Sequence, residues 1–280
     1  MKFDMHCHTN EGSVDARVSI EDYIKTLREK GFDGMLISDH DSYDGYRYWR
    51  KNIRGKKYKD FVVLKGVEYD TVDGGHFLVI LPNHIGLKIL EIKGMPVHLL
   101  IRLVHHYGGI LGPAHPCGER YLSLFSTGKY KRKKDIALQF DFLEGFNACE
   151  DERSNAGARE MAAKYRLPMF GGSDSHRPDC VGCAYTEFDA DIRDENDLIS
   201  YIRNGGRTTI GGTRYFGTTK DKLGVFNHLL VQSFWFYNKT GAMIRGRKRR
   251  VELEKDKLRK MRESRTKKNS VSPKDKDSQN

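Results

Sequence analysis

No stretch of eighteen apolar residues occurs in this 280-residue chain, so no segment of it is expected to span a membrane as a helix. The nearest approach, residues 223–237, is broken by Asn227, His228, Gln232 and Ser233. The N-terminus, MKFDMHCHTN, lacks the apolar core of a secretory signal. Cysteine is sparse. Cys7, Cys117, Cys149, Cys180 and Cys183 are too few for a disulfide framework in a chain of this size. Reduced thiols in a cytoplasmic protein are the expectation. Cys180 and Cys183 have no second CxxC to complete a zinc ribbon, and a packing role is expected for them. There is no glycine-rich phosphate loop and no internal repeat.

Charge is abundant but unevenly placed. The formal net charge is +11. From Lys239 to the end, sixteen Lys/Arg stand against six Asp/Glu, so the body is nearly neutral and the end is basic. Residues 245–265 are compatible with a helix but almost without apolar side chains, and the last fifteen read as disordered. The division expected is a domain over 1–240 and a basic, partly helical extension over 241–280. Within 223–237, Phe226, Leu229, Leu230 and Phe234 fall at helical spacing and could pack on the body.

The first two hundred residues alternate short apolar runs with amphipathic stretches. Strands are predicted at Lys2–Met5, Met35–Ile37, Phe61–Val67, His76–Leu81, Gly109–Pro113, Asp141–Phe146, Pro168–Gly172 and Ala184–Phe188. Helices are predicted from Ser19, whose Ser-Ile-Glu-Asp resembles a capping box, through Tyr46 and Trp49, and over Pro96–Tyr107, Asp151–Tyr165 and Glu195–Asn204. This βα alternation predicts a parallel sheet covered by helices, open or closed into a barrel.

The chemistry lies in where the histidines and acids fall. His6-Cys7-His8 follows the first strand, with Asp15 in the loop beyond, and Asp39-His40-Asp41 follows the second. Glu68 closes the third, His115 follows GGILGPA, and Asp174-Ser175-His176 follows PMFGGS. His76 alone opens its strand. A lone histidine in a loop is ordinarily a surface group, but chance would scatter such residues over both sheet edges and the helices. Their collection at the C-terminal ends of strands places them in one mouth. Imidazoles and carboxylates together suit Mn, Zn or Fe, and the surplus of carboxylates favours more than one ion. Cys7 between the two histidines alternates to the opposite face and is expected to pack. His84, His105 and His106 lie off the pattern.

Asp4-Met-His6-Cys-His8, Ser38-Asp39-His40-Asp41, Gly66-Val-Glu68, Gly-Pro-Ala-His115-Pro and Gly172-Ser-Asp174-Ser-His176 resemble, in order, the motifs of the PHP (polymerase and histidinol phosphatase) family. The resemblance implies an α/β fold, a distorted (β/α)7 barrel of the PHP type, holding two or three divalent ions. It implies that His6, His8, Glu68 and Asp174 hold one metal and that Glu68 bridges to a second completed by His76 and His115. Asp15, His40 and His176 would hold a third, with Glu11 the alternative acid. Asp39 and Asp41 would orient His40. Asp174, His40 and Arg177 are the catalytic candidates, Arg177 as the cation for a substrate phosphate, with Arg120 and Arg153 behind it. Tyr46, Tyr48 and Trp49 either stack a nucleobase or pack their helix, the latter being favoured.

The function expected is a phosphoesterase acting on nucleotides or short oligonucleotides through a metal-bridged hydroxide. The alternatives are a phosphatase of a small metabolite such as histidinol phosphate or a sugar phosphate, and a non-catalytic nucleic-acid-binding module. The partners expected are a phosphorylated small molecule, nucleotide or short nucleic acid. The basic tail would contact nucleic acid or an acidic partner.

Overall fold

The computed structural model describes residues 1–217 continuously, and beyond them 221–222, 229–233, 236–237, 240–241, 248, 251–252, 254–255, 258–259 and 261–262. Phe226 and Phe234, and the segment 266–280 expected to be disordered, lie outside the described residues. Those described between 248 and 262 are helical. No helix among the described residues is long and apolar enough to cross a membrane.

Nine strands and five α-helices follow one another within residues 1–217: β1 (Lys2–Cys7), α1 (Ile20–Glu29), β2 (Gly34–Ile37), α2 (Asp44–Asn52), β3 (Val62–Thr71), β4 (Gly75–Ile80), α3 (Val97–His106), β5 (Ile110–Pro113), β6 (Leu143–Asn147), α4 (Glu152–Tyr165), β7 (Met169–Gly172), β8 (Ala184–Phe188), α5 (Glu195–Arg203) and β9 (Thr208–Gly212). The capping reading at Ser19 holds: its side chain accepts from the Asp22 N–H, and Ile20, Tyr23, Ile24 and Leu27 turn the buried face of α1 inward. A fully buried side chain of this size contributes about 2 kcal/mol through its apolar surface.

One sheet runs β5-β4-β3-β2-β1-β8-β9 and a second pairs β6 with β7. The ring closes through Asp174, whose N–H donates to the His6 carbonyl at 2.9 Å, and through Asp141, whose N–H donates to the Leu111 carbonyl at 3.0 Å. The result is a curled, distorted barrel. The sheet is mixed, which corrects the parallel expectation. β1, β2 and β3 are parallel, as are β6 and β7, but β4 is antiparallel to β3 and β5, and β8 is antiparallel to β1 and β9. The physical reason lies in the connection: only three residues join β3 to β4, which permits a hairpin and no crossover helix. Gly75 makes that turn, with φ +73°, where an added Cβ would lie 2.1 Å from the Leu122 carbonyl oxygen. β9 was not expected from the sequence. It carries two glycines and its side chains are half-buried or exposed.

Strand direction resolves the exception at His76. β4 starts where β3 ends, with His76 opposite Asp70, so its first residues share a rim with the C-terminal ends of the parallel strands. Cys7 packs with Val18, Ile20 and Tyr23 on the face away from His6 and His8.

Candidate metal centre

Five imidazoles from four parts of the chain converge on the carboxylate of Glu68. Its Oε1 lies 3.0 Å from His76 Nδ1 and 3.0 Å from His115 Nε2. Its Oε2 lies 3.3 Å from Nε2 of both His6 and His8 and 3.1 Å from His40 Nδ1. Asp174 Oδ1 stands 3.3 Å from His8 Nε2 and 3.6 Å from His6 Nε2. Further out, Asp15 Oδ2 is 3.4 Å from His176 Nε2 and 3.7 Å from His40 Nε2.

These donors fit divalent ions. Glu68 Oε2 is buried and has no hydrogen-bond partner among the described residues. His6 Nε2 and His8 Nε2 face each other at 3.1 Å. Donor atoms bound at about 2.0–2.2 Å to one ion lie roughly 3–3.5 Å apart, which is the spacing here. Ligand atoms of His6, His8 and Glu68 lie within 4.8 Å of one another, as do those of His8, His40 and His176, and those of His40, Glu68 and His76.

The rings are aimed by hydrogen bonds at their far sides. His6 Nδ1 meets Glu144 Oε1 at 2.8 Å, His8 Nδ1 meets Ser13 Oγ at 3.3 Å, and His115 Nδ1 meets Ser123 Oγ at 3.2 Å. In the neutral form that binds metal, an Nδ1–H donated to each oxygen leaves the Nε2 lone pair for the centre. Glu144 Oε2 also accepts from the His115 N–H at 2.5 Å and from Asn147 Nδ2, which in turn donates to Asp174 Oδ2. His115, Asp174 and Asp41 hold φ of +31°, +50° and +46°. Such non-glycine backbone costs on the order of 1 kcal/mol each and clusters where a side chain must be presented to a site.

Electrostatics oppose burial strongly here. Burial pulls the His6 imidazole down, but Asp174, Glu144 and Glu68 leave it well above its ordinary value. His8 and His115 are likewise raised against burial to about 9, by hydrogen bonds to Asp174 and Glu68 for the first and to Glu68 for the second. Burial also raises the carboxyls, yet the surrounding histidines hold Glu68 and Asp174 well below the usual carboxylate range. His40 moves the other way, to about 3, because burial and the neighbouring His8 and His76 outweigh Glu68.

All nine residues expected as metal ligands therefore converge on one site. The remaining candidates have partners outside the ligand cluster. Glu11 accepts from the Ile20 N–H and caps α1. Asp39 accepts from the N–H and hydroxyl of Thr9 and the hydroxyl of Ser13, while Asp41 accepts from the Asp70 N–H. They brace the loops around His40, whose ring faces Glu68 and Asp15. Arg177 points away: its guanidinium donates to the carbonyls of Phe216 and Gly217 and to Asp179. The chain at 213–217 is thereby fastened to the site, because the Tyr215 hydroxyl donates to the Asp174 carbonyl at 2.7 Å. Tyr46 and Trp49 are buried, so two of the three aromatic residues of α2 pack that helix.

The centre floors a cleft of about 640 Å³, whose lining includes Lys93, Leu122, Leu230 and Val231. Lys93 is the one Lys or Arg among the described lining residues, 3.9 Å from Asp70. Sequence reasoning passed over Glu144, Asn147 and Lys93. Glu144 had a signal, an acid inside an apolar strand, whereas Lys93 had none.

No curated protein matches the sequence. Among solved structures, PsfC from Pseudomonas syringae PB-5123 is similar at 18% identity and TM-score 0.55, over 83% of this chain and 98% of that one. A protein described as a metal-dependent phosphoesterase, from Bifidobacterium adolescentis ATCC 15703, is similar at 17% identity and TM-score 0.52, over 73% and 96%. The lesion-specific endonuclease PfuEndoQ from Pyrococcus furiosus is similar at 16% identity and TM-score 0.59, over 75% of this chain and 57% of the endonuclease. At these identities the likeness is one of fold. The sequence also matches the PHP-associated family PHP_C over residues 152–206 and the PHP domain over residues 4–166. The chain belongs to the PHP domain family of metal-dependent hydrolases.

Proposed function

We propose that this protein is a metal-dependent phosphoesterase acting on nucleotides or short oligonucleotides. Residues 1–240 would form the catalytic unit and 241–280 a basic extension. The observation that carries the reading is the buried Glu68 carboxylate, one oxygen unpartnered, among His6, His8, His40, His76 and His115. His6, His8, Glu68 and Asp174 would hold one divalent ion, Glu68 with His76 and His115 a second, and Asp15, His40 and His176 a third. Mn, Zn or Fe suits this donor set. When bound, the ions would lower the pKa of a water and neutralise phosphate oxygens.

The chain's own groups do the positioning. Glu144, Ser13 and Ser123 fix the ring orientations, and the left-handed backbone at Asp174 points its carboxylate at His6 and His8. Lys93 takes the role first given to Arg177, neutralising a substrate phosphate oxygen from the wall of the cleft, with Asp70 holding its ammonium. A cleft of about 640 Å³ suits a mononucleotide or the end of a strand. Metal analysis of the native protein, followed by turnover of a nucleotide and oligonucleotide panel with Mn²⁺, tests the reading. Metal-loaded protein that turns over no phosphoester refutes it. A preference for sugar phosphates or histidinol phosphate over every nucleotide would move the substrate to small metabolites.

A further inference from the structure

Residues 47–59, RYWRKNIRGKKYK, carry seven cations and no carboxylate. They form the last turns of α2 and the loop into β3. This is the barrel end opposite the metal centre. From Val62 to Glu68 the strand advances about 20 Å at roughly 3.3 Å per residue.

A second cleft, of about 500 Å³, opens there. Arg50 lines it from α2, Arg54, Lys57 and Lys59 from the loop, and Arg193 from the chain before α5. Its two carboxylates are already engaged. Asp194 caps α5 by accepting from the N–H groups of Asn196 and Asp197, and its other oxygen accepts from Asn83 Nδ2. Glu195 is buried and accepts from the Lys65 N–H. Lys57 pairs with Glu21 at 2.9 Å, and Arg193 pairs with Asp191. Arg50, Arg54 and Lys59, all exposed, have no carboxylate partner among the described residues. Arg54 lies over the Trp49 ring, 5.4 Å from its centroid, which leaves its guanidinium edge to an incoming anion.

We propose that this cleft is a docking site for the phosphate backbone of single-stranded nucleic acid, separate from the metal centre. Arg50, Arg54 and Lys59 repel one another with no ion pair among the described residues to offset it, and a string of phosphates at regular spacing relieves that repulsion. The half-buried Tyr58, with Arg28 over its ring, lines the cleft among the cations, and Tyr48, 45% exposed, stands outside the lining two residues before Arg50; aromatic rings interleaved with cations are the combination that tracks single strands. A lipid surface fits worse: the site is concave, and Tyr46, Trp49 and Phe61 are turned into the core.

The test uses the full-length chain under chelation, so that binding is read without cleavage, with fluorescence anisotropy of a labelled oligothymidylate across a salt series. Arg50→Glu with Arg54→Glu, and separately Lys59→Glu with Arg193→Glu, are expected to weaken binding at least tenfold. Each pair should also reduce the slope of log K against log salt by about 1.4, at roughly 0.7 per phosphate contact for single strands. Lys164→Glu, an exposed cation on α4 outside both clefts, should change neither. Because all these side chains are exposed, melting curves should match the parent protein, and turnover of a small phosphoester should stay within twofold. Absence of binding by the parent protein overturns the proposal. So does unchanged affinity and slope in both double variants, which assigns binding to the tail or the metal cleft. Tighter binding to phosphatidylserine vesicles than to the oligonucleotide at equal salt overturns it as well. None of these results touches the hydrolase reading, which fails only on turnover.

Discussion

Replacing Glu68 by Gln removes one negative charge from the centre of the cluster while keeping the side-chain shape. In the metal-free protein Glu68 and Asp174 hold His8 and His115 up to about 9 against burial, so both rings are protonated at neutral pH. In the Glu68→Gln variant the rings face an amide, and one buried ion-pair partner is gone. Breaking a buried pair in this way costs about 3–5 kcal/mol. Here the lower end, about 3 kcal/mol, is expected, because Asp174 and Glu144 remain beside His6. The sign with pH follows from linkage. A histidine raised in the folded state contributes stability that is fully present below its unfolded value, about 6.5. That contribution is lost as pH climbs through about 9. The penalty of Glu68→Gln should therefore be largest near pH 6.5 and shrink toward pH 10. Urea unfolding of chelated parent and variant across that range measures it. With metal, the variant should lose at least one bound ion, or about 100-fold in affinity, equivalent to about 2.7 kcal/mol. Equal urea midpoints at pH 6.5 together with unchanged metal stoichiometry would refute the assignment of Glu68 as the common partner.

Metal uptake at pH 7.5 should release protons, because His8 and His115 begin protonated and must be neutral to bind; calorimetric heats that do not vary between buffers of different ionisation enthalpy would contradict this. Lys93→Met should raise KM about tenfold and leave kcat within about twofold, as for a lost uniform contact to phosphate, with partial recovery in Lys93→Arg, both read from steady-state kinetics. Gly172→Ala places a Cβ 2.2 Å from His6 Cβ and 2.7 Å from the His6 nitrogen, so β7 must move off β1. A loss of about 2–3 kcal/mol in chemical denaturation and a fall in bound metal are expected; a variant as stable and as metal-replete as the parent would show that this contact does not position His6.

What the sequence disclosed and what it hid divide along one physical line. Composition at a strand end survives any topology, so His6, His8, His40, His115 and Asp174 were legible from the apolar runs they follow, and the structure gathers them. Strand direction is a property of connections. The three-residue link between β3 and β4 turned His76 from an apparent exception into a rim residue. Arg177 illustrates the opposite error. Adjacency to His176 in sequence suggested a shared site, but alternation along an extended segment sends neighbouring side chains to different sides, and its guanidinium reaches Phe216 and Gly217 instead. Glu144 lies inside a predicted strand, and only the closed ring brings it under His6 and His115. β9 escaped because glycine and half-exposed positions erase the alternation that marks a strand. The basic cleft joins residues 50–59 to Arg193, a separation no local pattern spans. Such groups become visible only when tertiary contacts close, which is why a ligand set repeated at strand ends could be read in advance and the cations that meet across the fold could not.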